Sequence, residues 1–442
     1  MKVLLVTAEY PPMVGGVGDY TRRLAQELAC RDVEVAVLTS SGARLAEPGV
    51  QVLPDVPRWD FRLFRLVRQV IAQERPDAVH IQYQTAAYGM HPAINLLPGR
   101  LRRTHPGLPV VTTFHDLREP YLFPKAGPLR GWVTRRLVLD SSGVITTNPE
   151  DAAKAAKTIG RDAKSAPDVM LRSSATKHLL GESRPFARRT SLRVTISRTF
   201  GRGLPTAQGT PHPQLTLVPL APSIDVRPLT DADRWRIREL WGLPEDVYAM
   251  GHVGLLNTSK GVEDVLRAAR LLKDRGVAAR LIMLGEELGD SDQTNRAYRT
   301  RLLRLAEDLD VVSDITWTRY LPSADMSRAL QSLDCCLLPY VDGASYRRTT
   351  LLTALAHGLP VVTTQPSRAA QGAGMPRLQD GDHCLLVPPG DAESLAEAAA
   401  RVLADNTLRQ RLSAGAREMA GHFTWDAVAA KTIHFYQQVT GL

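Results

Sequence analysis

The sequence predicts an α/β protein made of two doubly wound, parallel-sheet domains, and three observations carry that prediction. Short, continuously apolar runs alternate with amphipathic helical stretches along most of the chain. The alternation occurs twice, and the break falls at Pro219-Leu220-Ala221-Pro222-Ser223-Ile224-Asp225, which fits neither a helical nor a strand period. A length of 442 residues is too great for one hydrophobic core and suits two. Runs this short and apolar suit strands buried on both faces, and the helices between them supply the crossovers that parallel strands need. Each half is therefore expected to be Rossmann-like, with a cleft between the halves.

The strands of the first half are expected at Val3–Val6, Val33–Leu38, Ala78–Ile81, Val110–Phe114 and Gly143–Thr147. Between the first two, Thr21–Leu28 reads as a helix. Tyr20, Leu24 and Leu28 share one face, and Arg22, Arg23 and Glu27 share the other. From about 158 to 213 the alternation stops, and Ser, Thr, Arg, Gly and Pro dominate. This stretch is read as a solvated insertion, with a basic arm for an anionic surface as the alternative. The second series of strands is expected at Val247–Val253, Arg280–Leu284, Asp314–Thr318, Cys335–Leu338, Pro360–Thr363 and His383–Val387. Glu263–Leu272 and Arg299–Leu309 read as helices, and another runs from Thr349 to a terminating Gly358. Thr424 is the expected N-cap of a last helix through Phe435. The domains are accordingly 1–220 and 221–424, with a closing helix at 425–442 that packs back on the first domain.

Composition sets the class. Hydrophobic residues make up 44% and aromatics 6%, and no apolar run approaches the roughly 20 residues that span a bilayer. Cys30, Cys335, Cys336 and Cys384 form neither a disulfide framework nor a zinc ligand set. The first residues read as a strand and not as a cleavable signal, so the expected location is cytoplasmic, with room for peripheral contact at the inner membrane face. The net charge of +9 is local: eleven basic and three acidic side chains lie between Lys157 and Gln214. No aromatic stripe accompanies those arginines, so nucleic-acid binding is not expected.

Several turns carry candidate chemistry. Gly15-Gly16-Val17-Gly18 lies between the first strand and its helix, where free backbone amides attract phosphate oxygens. Its spacing is neither a P-loop nor a dinucleotide fingerprint. His115 directly follows the strand Val110–Phe114, at the carboxyl end where open α/β sheets bind ligands. A histidine there can hydrogen-bond a substrate hydroxyl or carry a proton. His91 is a weaker candidate for the same cleft, and His80, inside a strand, reads as structural. In the second half, Lys260 sits in the strand-to-helix turn Gly254–Gly261 and can neutralise a diphosphate. Arg347 and Arg348 precede the helix that starts at Thr349, a second anion-attracting helix N-terminus.

With these residues in view, the chain resembles a family-4 (GT4-like) retaining glycosyltransferase of GT-B fold. The likeness rests on Pro11–Leu28, Thr112–Arg130, Val253–Gly261, Asp334–Thr364 with its Ala354-Leu355-Ala356-His357-Gly358-Leu359-Pro360-Val361-Val362 run, and the Trp425 helix. The resemblance implies a nucleoside diphosphate sugar as donor, a glycan or lipid-linked acceptor, and no metal or other cofactor. It implies that Gly16 and Gly18 present amides to the diphosphate, that Lys260 neutralises it, and that His115 contacts the transferred sugar as the catalytic residue. It places Glu286, Tyr320 and Leu321 near the nucleoside. Three positions depart from the family pattern: Leu255 replaces an arginine, and Ser345 and Thr353 replace two glutamates that flank the donor. Thr353 keeps a hydroxyl for a ribose, and Arg347 and Arg348 offer positive charge from a new direction, so charge reversal of Arg348 is expected to abolish donor binding. The function expected is transfer of a hexosyl unit with retention of configuration. The alternative is a catalytically impaired GT-B scaffold that binds a nucleotide or a partner without turnover.

Overall fold

The computed structural model describes residues 1–13, 15–43, 47–117, 127–163, 212–254, 256–285, 293–372 and 374–442, without the side chains of 127–130, 161–163 and 293–296. Most of the basic stretch read as an insertion, together with Leu255 and Glu286, lies outside the described residues.

Two parallel sheets organise the chain. The first contains β1 (Lys2–Val6), β2 (Glu34–Ser40), β3 (Val50–Val56), β4 (Ala78–Tyr83), β5 (Val110–Phe114), β6 (Gly143–Thr146) and β7 (Gln214–Leu217). Their spatial order is β3-β2-β1-β4-β5-β6-β7, and every pair is parallel. The second contains β8 (Tyr248–Val253), β9 (Ala279–Leu284), β10 (Ile315–Trp317), β11 (Cys335–Leu338), β12 (Val361–Thr364) and β13 (Leu385–Val387). Its order, β10-β9-β8-β11-β12-β13, repeats the same winding. Both sheets reverse direction beside their first strand, at β1/β4 and at β8/β11, which opens a ligand crevice at the carboxyl ends. The two-domain α/β reading is thus borne out. The sequence reading missed both edge strands of this sheet, β3 and β7; Pro54 and Asp55 interrupt β3, and the sheet tolerates Pro54 because β3 is an edge strand.

Helices fill the crossovers as the apolar spacing predicts. The first, α1 (Gly16–Ala29), buries Tyr20, Leu24 and Leu28, and α7 (Val262–Asp274) buries Val265, Leu266 and Leu272. Here α1 begins five positions earlier than the Thr21 of the sequence reading, so Gly16 and Gly18 stand in its first turn. The eight-residue α10 (Thr349–Ala356) ends at Gly358, whose φ of 64° is the left-handed value that glycine adopts without strain.

The last helix, α13 (Trp425–Thr440), is capped by the Thr424 side chain, which accepts from the Ala427 amide at 3.2 Å. It returns to the first domain. Tyr20 and Trp425 rings lie 5.2 Å apart, Arg31 pairs with Asp426 at 2.6 Å, and a Cβ added at Gly143 would sit 2.7 Å from the Phe435 ring. Trp425 Nε1 also donates to the Pro222 carbonyl at 2.8 Å, which ties the helix to the connecting segment.

Burial has an electrostatic consequence. Buried His80 is pushed down to about 3 and buried His252 to about 4, in both cases first by loss of solvent. Each is neutral when folded and free to take a proton near pH 6.5 when unfolded. Protons therefore favour the unfolded chain below that value. The contribution of these two histidines to stability is expected to be at its plateau above pH 6.5 and to decline as pH falls to about 4. Urea midpoints across pH 4 to 7 check this, and His252→Gln should flatten the decline.

A candidate donor site at two strand ends

In the second domain the site is built around Lys260. The turn after β8 is fixed by Asn257, whose side chain accepts from the Ser259 amide at 2.9 Å. It is closed by Gly261 at φ 67°, where any Cβ would collide with the Pro339 carbonyl. This geometry aims the Lys260 ammonium at α10, where it donates to Thr350 Oγ1 at 3.0 Å. Tyr340, at the carboxyl end of β11, stands beneath. Its ring is 5.7 Å from Lys260 Nζ and 5.0 Å from the Arg348 guanidinium, and its hydroxyl meets Thr350 Oγ1 at 2.8 Å. Among the described residues no carboxylate pairs with Lys260. Desolvation first, and the nearby Arg348 charge second, pull its pKa down to about 7. A partly desolvated cation with a cationic neighbour and a helix N-terminus beside it is a site for an anion.

The arginines are committed differently. Arg348 donates to Ser259 Oγ at 3.0 Å and pairs with Asp342 at 2.7 Å. Arg347 pairs with Asp342 and reaches Glu150 of the first domain at 3.7 Å. Both therefore have carboxylate partners already, and among the described residues Lys260 is the cation of the three that lacks one. Ser345 is buried, with its hydroxyl 3.5 Å from the Arg347 amide. Thr353 is held by the connecting segment: its hydroxyl accepts from the Ser223 amide at 3.2 Å and meets Ser223 Oγ at 3.2 Å. Tyr320 is exposed, while Leu321 packs against the hydrophobic core. The turn between them and β9 is tied by a bridge from Gly285 to Arg319.

In the first domain the site centres on His115, just past β5. Its amide donates to the Tyr83 carbonyl at 3.0 Å, and its Nε2 lies 2.9 Å from Gln82 Oε1. The Tyr20 ring meets it edge-on at 4.8 Å. Burial pushes the imidazole down to about 4, so it is neutral at physiological pH. Gly16 has open space where a Cβ would stand, whereas a Cβ at Gly18 would sit 3.1 Å from the Glu9 backbone. The sequence reading missed Glu9 and Asp19 at this turn. Loss of solvent raises both carboxyls, and Asp19 pushes Glu9 further up. It missed Gln82 too, although Gln82 shares a face of β4 with His80 at a spacing of two. His91 lies apart, against the Phe61 ring at 4.9 Å.

A family model described as "Glycosyl transferase 4-like domain" matches residues 15–166, and one described as "Glycosyl transferases group 1" matches residues 248–405. A D-inositol 3-phosphate glycosyltransferase of Saccharomonospora viridis is 26% identical over 96% of this chain and 89% of its own length. The counterpart in Stackebrandtia nassauensis is also 26% identical, and that match spans 63% of this chain and 60% of the relative's length. Among solved structures, Anabaena Alr3699/HepE in complex with UDP and glucose has a TM-score of 0.67 and 14% identity, with all of both chains covered. With two sheets wound alike, both family models matched in order and the same fold in that structure, the chain belongs to the GT4-like glycosyltransferases and has their GT-B fold.

Proposed function

We propose that the protein transfers a hexosyl unit from a nucleoside diphosphate sugar to a hydroxyl acceptor, with retention of configuration. The observation that carries this reading is Lys260: a cation without a carboxylate partner among the described residues, held between the Tyr340 ring and the first turn of α10. Such a site suits a diphosphate that gains negative charge as the bond to the sugar breaks. In the step, the bond from the anomeric carbon to the β-phosphate oxygen breaks and its electron pair leaves with the diphosphate. The acceptor oxygen bonds to the same face, and its proton passes to the departing phosphate oxygen. A neutral His115 suits this step, because an imidazolium would repel the oxocarbenium-like sugar.

UDP-glucose is the donor to try first, since it is the ligand of another HepE structure, and D-inositol 3-phosphate is the acceptor named for both relatives. A glycan or a lipid-linked glycan is the next acceptor class. One observation favours the binding-only reading: Ser345 and Thr353 supply no carboxylate, and Ser223 already occupies the Thr353 hydroxyl. Calorimetric titration with UDP, GDP and ADP, followed by proton NMR of the product's anomeric signal, decides between them. Selective binding of one nucleotide and a product with the donor's anomeric configuration are expected. Tight binding without product would establish the scaffold reading, and an inverted anomer would overturn retention.

A further inference from the structure

Behind His115 lies a hydrogen-bonded stack that the transfer reading does not use. From α13, Tyr436 Oη meets His80 Nδ1 at 2.5 Å, and His80 Nε2 meets Thr113 Oγ1 at 2.7 Å. Gln82 is fully buried next to them, with its amide nitrogen 3.2 Å and 3.4 Å from the two nitrogens of His80. Equal approach to both nitrogens places that amide against the imidazole. The other end of the side chain is then turned to His115, at 2.9 Å. The backbone is pinned as well: Tyr88 Oη donates to the Gln82 carbonyl at 2.7 Å, and Gln82 stands opposite Thr113 in the β4/β5 register.

A carboxamide oxygen accepts and never donates, so the ring nitrogen facing it must carry the proton. Neutral imidazole has one such proton, and the second nitrogen is then a bare acceptor. Nδ1 of His115 has no hydrogen-bond partner among the described residues. We propose that Gln82 is a positioning residue that fixes His115 in its Nε2–H tautomer, so that Nδ1 accepts a hydrogen bond from a hydroxyl of the transferred sugar. The assignment rests on the transfer reading for its substrate, but the tautomer itself does not. It gives His115 a specific part: it orients a hydroxyl and neither gives nor takes a proton in the step. It also gives α13 a part, because Tyr436 holds the His80 ring on which the Gln82 amide rests.

The tautomer is directly observable, and it distinguishes the two ways a glutamine amide can face a histidine. Long-range proton–nitrogen correlation spectra of the full chain, labelled with nitrogen-15 at histidine, report which ring nitrogen is protonated. His115 is assigned by its loss in His115→Gln. At pH 7.5 the expected pattern is a single tautomer with Nε2 protonated and Nδ1 bare. Gln82→Met should replace it with an average of both tautomers and lower kcat by about 10- to 100-fold, the size typical of groups that orient another ligand, with KM nearly unchanged. Gln82→Glu keeps an acceptor oxygen and should restore the Nε2–H pattern. A wild-type His115 protonated at Nδ1 would overturn the assignment, and so would a Gln82→Met spectrum that matches wild type. If Gln82→Met does not fold, the wild-type and Gln82→Glu spectra still decide. If the expected spectra come from a protein without transferase activity, the positioning stands and the transfer reading fails.

Discussion

Lys260→Ala is expected to weaken nucleoside diphosphate binding by about 100-fold, which corresponds to roughly 2.7 kcal/mol. The size follows from the site's chemistry. Among the described residues of the site the ammonium is the cation without a carboxylate partner, and its removal leaves the phosphate charge facing α10 amides and an Arg348 already paired with Asp342. The same environment makes binding depend on pH. With its pKa lowered to about 7, free Lys260 is largely neutral at pH 8. An anion beside it favours the charged form, so complex formation must take up a proton at that pH. Affinity should be constant below pH 7 and fall about tenfold per unit above it, until the pKa of the complex is reached. Calorimetry at pH 8 in two buffers of different ionisation enthalpy reads the proton directly, and Lys260→Ala should abolish the uptake. A wild-type enthalpy independent of the buffer would remove Lys260 from the site.

His115→Ala should lower kcat by about 100- to 1,000-fold, in the range found for preorganised groups that act mainly in the transition state. Nucleotide affinity should change little, because the ring stands just past β5 of the first domain, whereas Lys260 stands on the second. The pH profile separates this role from proton transfer. A general base with an ordinary imidazole would cost activity below about pH 6.5. Burial holds this ring near 4, so the acid limb due to His115 should lie there and not near neutrality. Steady-state rates from pH 4.5 to 7 with intact fold, checked by circular dichroism, test the point. A loss of kcat centred at pH 6.5 that disappears in His115→Gln would mean that the imidazole exchanges a proton during turnover.

The sequence made the fold legible because parallel strands are buried on both faces and read as uninterrupted apolar runs. Val3–Val6, Val110–Phe114 and Cys335–Leu338 announce themselves in this way. The partly exposed edge strands β3, with its Pro54 and Asp55, and β7 lack that signature and were missed for that reason. The placing of Lys260 and His115 at strand ends was legible from position alone, since Lys260 stands in the turn that follows β8 and His115 directly follows β5. What sequence cannot show is which charges are already spoken for. Arg347 and Arg348 read as spare cations until Asp342 and Glu150 are seen beside them. Thr353 read as a ribose ligand until Ser223 was found against it, 130 residues earlier in the chain. Gln82 gave only its shared face with His80 as a signal, because an amide in a buried strand takes its role from the neighbours that other elements bring.

The return of α13 bears on the order in which the molecule can be made. Ribosomes release a chain from its first residue, and domains generally fold in that order. Here Phe435 and Tyr436, made after the second domain, fill space against Gly143 and His80 of the domain made before it. That domain can gather its seven strands early, but it cannot close until the second domain has been threaded out and the last helix has come back. A ribosome stalled before Trp425 should therefore display a nascent first domain that proteases still cut, and release of the final helix should protect it.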